Sequence, residues 1–203
     1  MEDNEPFRLI LANVAQHISL TPAEADCFTS LLRLKTIRKK TFLLTKGEVN
    51  HYQSFVTQGA LCTYQVDDKD KEHILTFSLE NWWAGDLHSF LTKTPTPYFI
   101  EALEDTVVLQ ISAPKLERLY EQVPQFNKFF RIMLQGAFIA QQERIMQNLA
   151  ASAEERYVAL IRKYPHFAQR IPQKKLAVYL GMTPQFLSML RRKWAQPNAS
   201  SSS

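Results

Sequence analysis

Apolar positions change their period several times along the chain. Residues 7–34 follow a helical spacing, with Phe28, Leu31 and Leu32 on one stripe. Within that stretch Thr21-Pro22-Ala23-Glu24 reads as a helix start, with Thr21 as N-cap, Pro22 in the first turn and Glu24 closing a capping box. Residues 35–111 break into short runs rich in β-branched and aromatic side chains: TFLLT, YQSFVTQ, ALCTYQV, HILTFSL, WWAGDL, YFIEAL and TVVLQI. Turn signals at Lys46-Gly47-Glu48, Gln58-Gly59, Asp67–Asp70 and Pro95-Thr96-Pro97 separate them. Many short strands at near-even spacing predict a small antiparallel barrel or jelly roll. The helical period returns at 113–150. Pro114 opens one helix, and a longer one follows Pro124 and runs to about Ala150, with Phe130, Leu134, Phe138, Ile145 and Leu149 along one face. A further helix spans 153–165, ending at Tyr164-Pro165.

Residues Pro172–Lys193 carry the most specific pattern. Leu176, Ala177 and Leu180 share a helical face, and Gly181 stands where a helix C-terminus needs positive φ. Thr183 then caps a second helix with Pro184 in its first turn and Phe186, Leu187 and Leu190 on its apolar face. Helix, glycine turn and capped helix make a helix-turn-helix.

Charge agrees with that reading. Residues 151–203 hold nine Lys and Arg against Glu154 and Glu155, a net +7, while residues 1–150 hold 15 basic and 18 acidic side chains, giving +4 for the whole chain. A cationic field gathered over a helix-turn-helix suits a phosphate backbone, where each neutralised phosphate releases counterions. The 203 residues allow one large domain or two small ones, and 45% hydrophobic with 22% charged content is that of a globular protein. No apolar run approaches the length of a membrane span, and the acidic start Met1-Glu2-Asp3-Asn4-Glu5 is unlike a signal peptide. Cys27 and Cys62 lie far apart, which suggests free thiols in a reducing cytoplasm. The long helix 124–150 has few places to bury its stripe, so a second copy of the chain is its expected partner, through Phe130, Leu134, Phe138, Ile145 and Leu149.

Helix, eight-stranded barrel, long helix and helix-turn-helix, in that order, resemble the cyclic AMP receptor protein / FNR (Crp/Fnr) family of bacterial transcription regulators. The resemblance covers roughly residues 10–194. It is carried by Lys46-Gly47-Glu48, Gly59, the cassette Trp82-Trp83-Ala84-Gly85-Asp86-Leu87, Ala102, Glu155-Arg156-Tyr157 and the Pro172–Lys193 stretch. It implies an α+β fold: a cyclic-nucleotide-binding-type β-barrel (jelly roll) with flanking helices over 1–123, a dimerisation helix over 124–150, a helix-turn-helix over 151–196 and a disordered tail over 197–203. It also implies a homodimer on a two-fold-related operator in double-stranded DNA, with Pro184–Lys193 in the major groove and RNA polymerase as a further partner.

The resemblance points Gln185, Ser188, Met189 and Arg192 outward from the recognition helix. Gln pairs with adenine and Arg with guanine or phosphate. Lys174, Lys175, Thr183 and Arg191 complete the expected DNA-facing set. Met189 departs from the family, which places an Arg there, and so changes or removes a base contact. The β-hairpin wing that many relatives add after the recognition helix is expected to be absent.

In cyclic-nucleotide-binding relatives a Gly-Glu pair holds the ribose, and an Arg-Ser or Arg-Thr pair clamps the cyclic phosphate. Gly85-Asp86-Leu87 stands at the first place and Thr96-Pro97 at the second. A Thr lacks the guanidinium fork that matches phosphate oxygens. The adenine-contacting positions fall at Gln141 and Gln142, polar residues that could meet a ligand in a degenerate pocket, although solvent exposure or a dimer-seam hydrogen bond is the preferred reading. No cofactor is expected, and cyclic AMP is not the expected effector. Two cysteines cannot supply the four that hold the iron–sulfur cluster of the oxygen-sensing members. His17, His51, His73, His88 and His166 show no metal spacing, so metal ligands are expected to be none, although a haem ligand at His73 or His88 stays open. Two competing readings remain. One is a regulator-derived interaction protein that no longer reads DNA. The other is a cupin-like barrel enzyme, which needs a close His pair that His51, His73 and His88 do not form, so no catalytic residue is assigned.

Overall fold

The computed structural model describes residues 5–195; the predicted tail at 197–203 and the acidic start at 1–4 lie outside the described residues. The first helical stretch is two helices, α1 (Arg8–Ala15) and α2 (Pro22–Leu31). The capping box at Thr21 forms as its sequence dictates. Thr21 Oγ1 accepts the Glu24 N–H at 3.3 Å, and Glu24 Oε2 accepts the Thr21 N–H at 2.7 Å. Leu32 turns extended and the first strand starts at Arg33, earlier than the change of period at residue 35.

Eight strands follow: β1 (Arg33–Ile37), β2 (Phe42–Leu44), β3 (Tyr52–Gln58), β4 (Leu61–Val66), β5 (Glu72–Ser78), β6 (Trp83–Ala84), β7 (Phe99–Ala102) and β8 (Thr106–Ser112). They form two four-stranded antiparallel sheets in the orders β1-β8-β3-β6 and β2-β7-β4-β5, the jelly roll that the spacing predicted. Ile37, Leu44, Val56, Leu61, Ile100 and Val108 fill the space between the sheets. Gly59 turns β3 into β4 at φ +95°. A Cβ there would sit 2.5 Å from Thr106 Oγ1 and 2.7 Å from the Asp105 carbonyl, so the turn admits only glycine. A short helix that the sequence reading lacked, α3 (Leu87–Thr92), lies between β6 and β7.

The remaining helices are α4 (Ala113–Gln122), α5 (Gln125–Ala150), α6 (Ala153–Lys163), α7 (Phe167–Arg170), α8 (Gln173–Tyr179) and α9 (Pro184–Ala195). They build two further cores on the outer faces of the sandwich. On one face, Ile10 and Val14 of α1, Phe28 of α2, Leu119 of α4 and Phe126 and Phe129 of α5 bury Phe55, Leu109 and Ile111. Phe130 belongs to this core. It is half-buried and packs edge-on against Trp83 at 5.4 Å and Tyr120 at 5.8 Å, so it is not part of a free stripe as its spacing had suggested.

On the other face, Cys62, Tyr64, Ile74 and Phe77 pack against Tyr157, Phe167, Leu176, Ala177 and Leu187 of the C-terminal helices. Each large side chain buried this way contributes roughly 1.5–3 kcal/mol as an upper estimate. The C-terminal helices therefore share a core with the sandwich. Trp82 reaches them too, meeting Tyr164 edge-on at 5.1 Å. The distal part of α5 is different. Leu134, Phe138, Ile145 and Leu149 are all exposed, with Phe138 at 64% and Leu149 at 77%, and Ile139 and Met146 stand exposed among them.

Candidate nucleic-acid interface and sensor pocket

The turn between α8 and α9 is built by hydrogen bonds that the sequence encodes. Gly181 lies at φ +66°, its N–H reaches the Val178 carbonyl at 3.0 Å, and the Met182 N–H reaches the Ala177 carbonyl at 3.0 Å. This pair of bonds is the Schellman arrangement, which satisfies the last carbonyls of α8. Thr183 Oγ1 then accepts the Phe186 N–H at 3.2 Å and caps α9. Gln173 Nε2 ties the start of α8 to α9, donating to the Pro184 carbonyl at 2.9 Å and to Ser188 Oγ at 2.8 Å. Arg156 of α6 braces the turn from behind, Nε donating to the Leu180 carbonyl at 3.0 Å. Leu176, Ala177, Leu180, Leu187 and Leu190 are buried beneath.

The predicted DNA-facing residues divide in two. Lys174, Thr183, Gln185, Met189 and Arg192 are exposed, and Gln185, Met189 and Arg192 fall on one face of α9. Ser188 is half-buried and bonded to Gln173, so it braces the motif. Arg191 is half-buried and already engaged.

Lys175 points the other way. Its Nζ lies 3.1 Å from Glu72 Oε2 and 3.1 Å from Glu101 Oε2, and 4.3 Å above the Tyr64 ring. The outer face of β4, β5 and β7 holds these acids where α8 docks, so the ammonium is drawn into the domain contact and away from any phosphate. Burial pushes the Lys175 pKa down, but the nearby Cys62 and the hydrogen bonds to Glu101 and Glu72 outweigh it, and the net shift is upward. Lys193 is likewise paired, with Glu154 Oε1 at 2.7 Å.

Of the expected ligand-pocket residues, Asp86 and Thr96 come together, bonded to each other. Thr96 Oγ1 donates to Asp86 Oδ2 at 2.7 Å, and Asp86 Oδ1 accepts the Ser89 N–H at 3.3 Å as the N-cap of α3. Both side chains are buried, Thr96 to 2% exposure. Asn50 Nδ2 donates to the Asp86 carbonyl at 3.0 Å, and Ser89 Oγ donates to the Thr94 carbonyl at 2.6 Å. The cassette is thus closed on its own polar groups. Leu87 is exposed at its edge. Gln141 and Gln142 are exposed on α5 and line none of the described cavities.

A cavity of about 440 Å³ opens instead at the end of the sandwich near β1, and of the predicted pocket residues Gly85 alone borders it. Arg33 and Lys35 line it, neither of them singled out from the sequence. Their signal is the phase of β1, where Ile37 faces the core and Arg33 and Lys35 share its side. Among the described residues no group of three or more His, Cys, Asp or Glu gathers as a metal site, and no helix is long and apolar enough to cross a membrane.

Comparison with known proteins places this architecture. Residues 34–123 match the family model described as cyclic nucleotide-binding domain. The chain is 26% identical over 194 residues to the fumarate and nitrate reduction regulatory protein of Yersinia pestis, covering 89% of this chain and 76% of that one. It is 25% identical over 198 residues to the transcriptional activator protein anr of Pseudomonas aeruginosa, covering 92% and 80%. The solved structure of FixK2 from Bradyrhizobium japonicum superposes with a TM-score of 0.71 at 18% identity, over 84% of this chain and 89% of that chain, a likeness of fold.

Proposed function

We propose that the chain is a transcription regulator of the Crp/Fnr type, as its cyclic nucleotide-binding domain and its similarity to fumarate and nitrate reduction regulators support, and that it acts as a homodimer that binds double-stranded DNA through α9. The observation that carries this reading is the exposed row Gln185, Met189 and Arg192 on a helix fixed by Thr183, Gly181 and Gln173. A recognition helix needs such a rigid mount, because base contacts worth about 1–3 kcal/mol each are lost when the helix is misplaced. Gln185 is the candidate base reader, Arg192 reads guanine or phosphate, and Lys174 adds charge at the start of α8. Met189 offers a thymine methyl an apolar surface and makes no charged contact.

Dimerisation is supported by the exposed row Leu134, Phe138, Ile145 and Leu149 on α5. A two-fold axis along that helix would present two copies of α9 to successive major grooves. The closed cassette around Asp86 and Thr96 supports a regulator whose effector is not a cyclic nucleotide.

Retardation of genomic fragments from the source organism tests the reading, with a salt titration and sequencing of the bound fraction. A shared two-fold motif and a steep salt dependence are expected. Failure to enrich any motif would instead favour an interaction protein descended from a regulator.

A further inference from the structure

The inner face of a β-sandwich is ordinarily apolar, and most of this one is. At one end it is not. On β1 Arg33, Lys35 and Ile37 share the side turned toward the second sheet, exposed, half-buried and buried in turn, while Leu34 points to the other side and is 53% exposed. The strand is inverted relative to the usual alternation, in which the leucine would go in and the cations out. The register carries the polarity across the sheet: Arg33 pairs with Gln110 of β8, and Gln110 pairs with Ser54 of β3. Gln110 and Ser54 are both buried. One pleat further along, the same face returns to Val108 and Val56.

Buried polar groups are costly unless bonded, and here they are bonded so as to aim the arginine. Gln110 Nε2 donates to Ser54 Oγ at 2.9 Å. Its Oε1 accepts from Arg33 Nε at 3.1 Å and Nη2 at 2.8 Å. The guanidinium lies 3.5 Å over the Tyr52 ring. A stacked and hydrogen-bonded guanidinium is held in place, yet none of these partners neutralises its charge. Lys35 beside it is half-buried and has no hydrogen bond or ion pair among the described residues. Glu48 is the one acid bordering the cavity, and its Oε2 is used by the Thr45 N–H at 2.8 Å. The opposite wall, from the second sheet, is apolar: Leu43, Leu44 and Ile100.

We propose that this cavity is a binding site for a small organic oxyanion, a carboxylate or a phosphate monoester with an apolar body. Arg33 and Lys35 hold the oxyanion, and Leu43, Leu44 and Ile100 cover the body. The volume of about 440 Å³ falls in the range of small-molecule sites. The site touches the Asp86–Thr96 cassette at Gly85 and Asn50 but takes its cations from β1, and it does not depend on DNA reading.

Titration calorimetry on the full chain at fixed ionic strength tests the site, with phenyl phosphate, benzoate and inorganic phosphate as probes. One site per chain is expected for phenyl phosphate or benzoate, and the tighter of the two identifies the oxyanion. Inorganic phosphate, which lacks the apolar body, is expected to bind about ten-fold more weakly or less. Lys35→Gln is expected to weaken binding about ten-fold with an unchanged melting temperature, because that ammonium supports nothing in the fold. Arg33→Gln is expected to weaken it further, and Lys115→Gln, an exposed cation on α4, to leave it unchanged. The proposal is overturned if neither organic anion saturates by about 10 mM, or if inorganic phosphate binds as tightly as both. It is equally overturned if Lys35→Gln and Arg33→Gln bind like the parent protein.

Discussion

The Nζ of Lys175 lies 3.1 Å from Oε2 of Glu101, an ion pair that joins the first helix of the helix-turn-helix to the sheet of the sandwich. Both side chains are largely buried, Lys175 at 15% and Glu101 at 17% exposure. Arg170 makes a second junction, donating to Glu80 Oε1 at 2.9 Å and to Glu104 Oε1 at 2.6 Å. Together with the shared apolar core, these pairs set the direction in which α9 points relative to α5. In a two-fold dimer that direction decides whether both recognition helices meet successive grooves.

Lys175→Met is therefore expected to act on stability and not on phosphate contact. Removing the ammonium leaves Glu101 buried without its partner, at a cost of about 1–3 kcal/mol for a pair that keeps some water access. Urea unfolding measures this, and adding Glu101→Gln is expected to restore part of the loss. The salt slope of DNA binding is expected to stay at its parent value. A slope reduced by about one would place Lys175 on a phosphate after all.

The Glu80–Arg170 junction makes domain docking sensitive to acid. Burial raises the Glu80 pKa, but the hydrogen bonds from Arg170 and from the Gly59 N–H outweigh it and hold the carboxyl below its usual range. A carboxyl depressed in the folded state contributes stability that is complete above its unfolded pKa and is lost as pH falls through the folded one. Thermal melts from about pH 6 down to pH 3 are expected to show a steeper loss in the parent protein than in Arg170→Met, which lacks the junction at every pH. Parallel curves for the two proteins would remove Glu80 from the account.

Substitution of Phe138 by Asp is expected to yield a monomer. The side chain stands 64% exposed between Leu134 and Ile145 on a helix whose first turns are anchored in the core. A carboxylate at an apolar seam costs several kcal/mol when a second copy covers it and almost nothing in a free chain. Sedimentation at micromolar concentration separates these cases, and circular dichroism checks that the helices persist. Phe130→Asp is expected instead to unfold the protein, because Phe130 packs on Trp83 and Tyr120 within one chain.

The contrast between Phe130 and Phe138 marks how far the sequence was legible. Local signals transferred directly. Thr21, Thr183 and Gly181 announced caps and a turn, and the structure forms each one, because such geometry is decided within a few residues. The apolar stripe of α5 was equally plain, but its division into an intramolecular half and an exposed half depends on where the sandwich ends. Lys175 looked like one more member of a basic cluster. Its partners, Glu72 and Glu101, are over seventy residues away in sequence, and only the docking of α8 brings them within 3.1 Å. Arg33 and Lys35 went unread because the helical pattern was carried through residue 34, which hid the phase of β1.

Met189 tests the reading of α9. It stands 53% exposed at the centre of the row formed by Gln185 and Arg192. Met189→Arg is expected to tighten binding to all DNA and to steepen the salt slope by about one, as one more phosphate or guanine is met. Gln185→Ala is expected to relax preference at a single base pair by about 1–3 kcal/mol and to leave the slope alone. Equal losses for Gln185→Ala on operator and random fragments would show that this side chain reads no base.

Cyclic AMP is expected not to bind at the Asp86–Thr96 cassette. A cyclic phosphate carries a fixed negative charge, and taking it out of water requires a cation or several directed N–H donors. The cassette supplies neither. The Thr96 hydroxyl is already given to Asp86 Oδ2 at 2.7 Å, and a neutral hydroxyl bond is worth about 0.5–1.5 kcal/mol net against about 1.5–3 for a bond to a charged group. The Asp86 carboxylate would face the phosphate as a like charge. The remaining route is the start of α3, where free N–H groups could cradle an anion. There Asp86 Oδ1 occupies the Ser89 N–H at 3.3 Å, so the protein's own carboxylate takes the place of a ligand. Calorimetry with cyclic AMP and cyclic GMP is expected to give no saturable heat up to about 1 mM. Thr96→Ala, which leaves a buried Asp86 oxygen without its donor, is expected to lower stability by about 1–3 kcal/mol without creating affinity. Low-micromolar binding of either nucleotide to the parent protein, with tighter operator binding in its presence, would mean that the Asp86–Thr96 bond opens to admit the phosphate and that the closed cassette is one state of a working sensor.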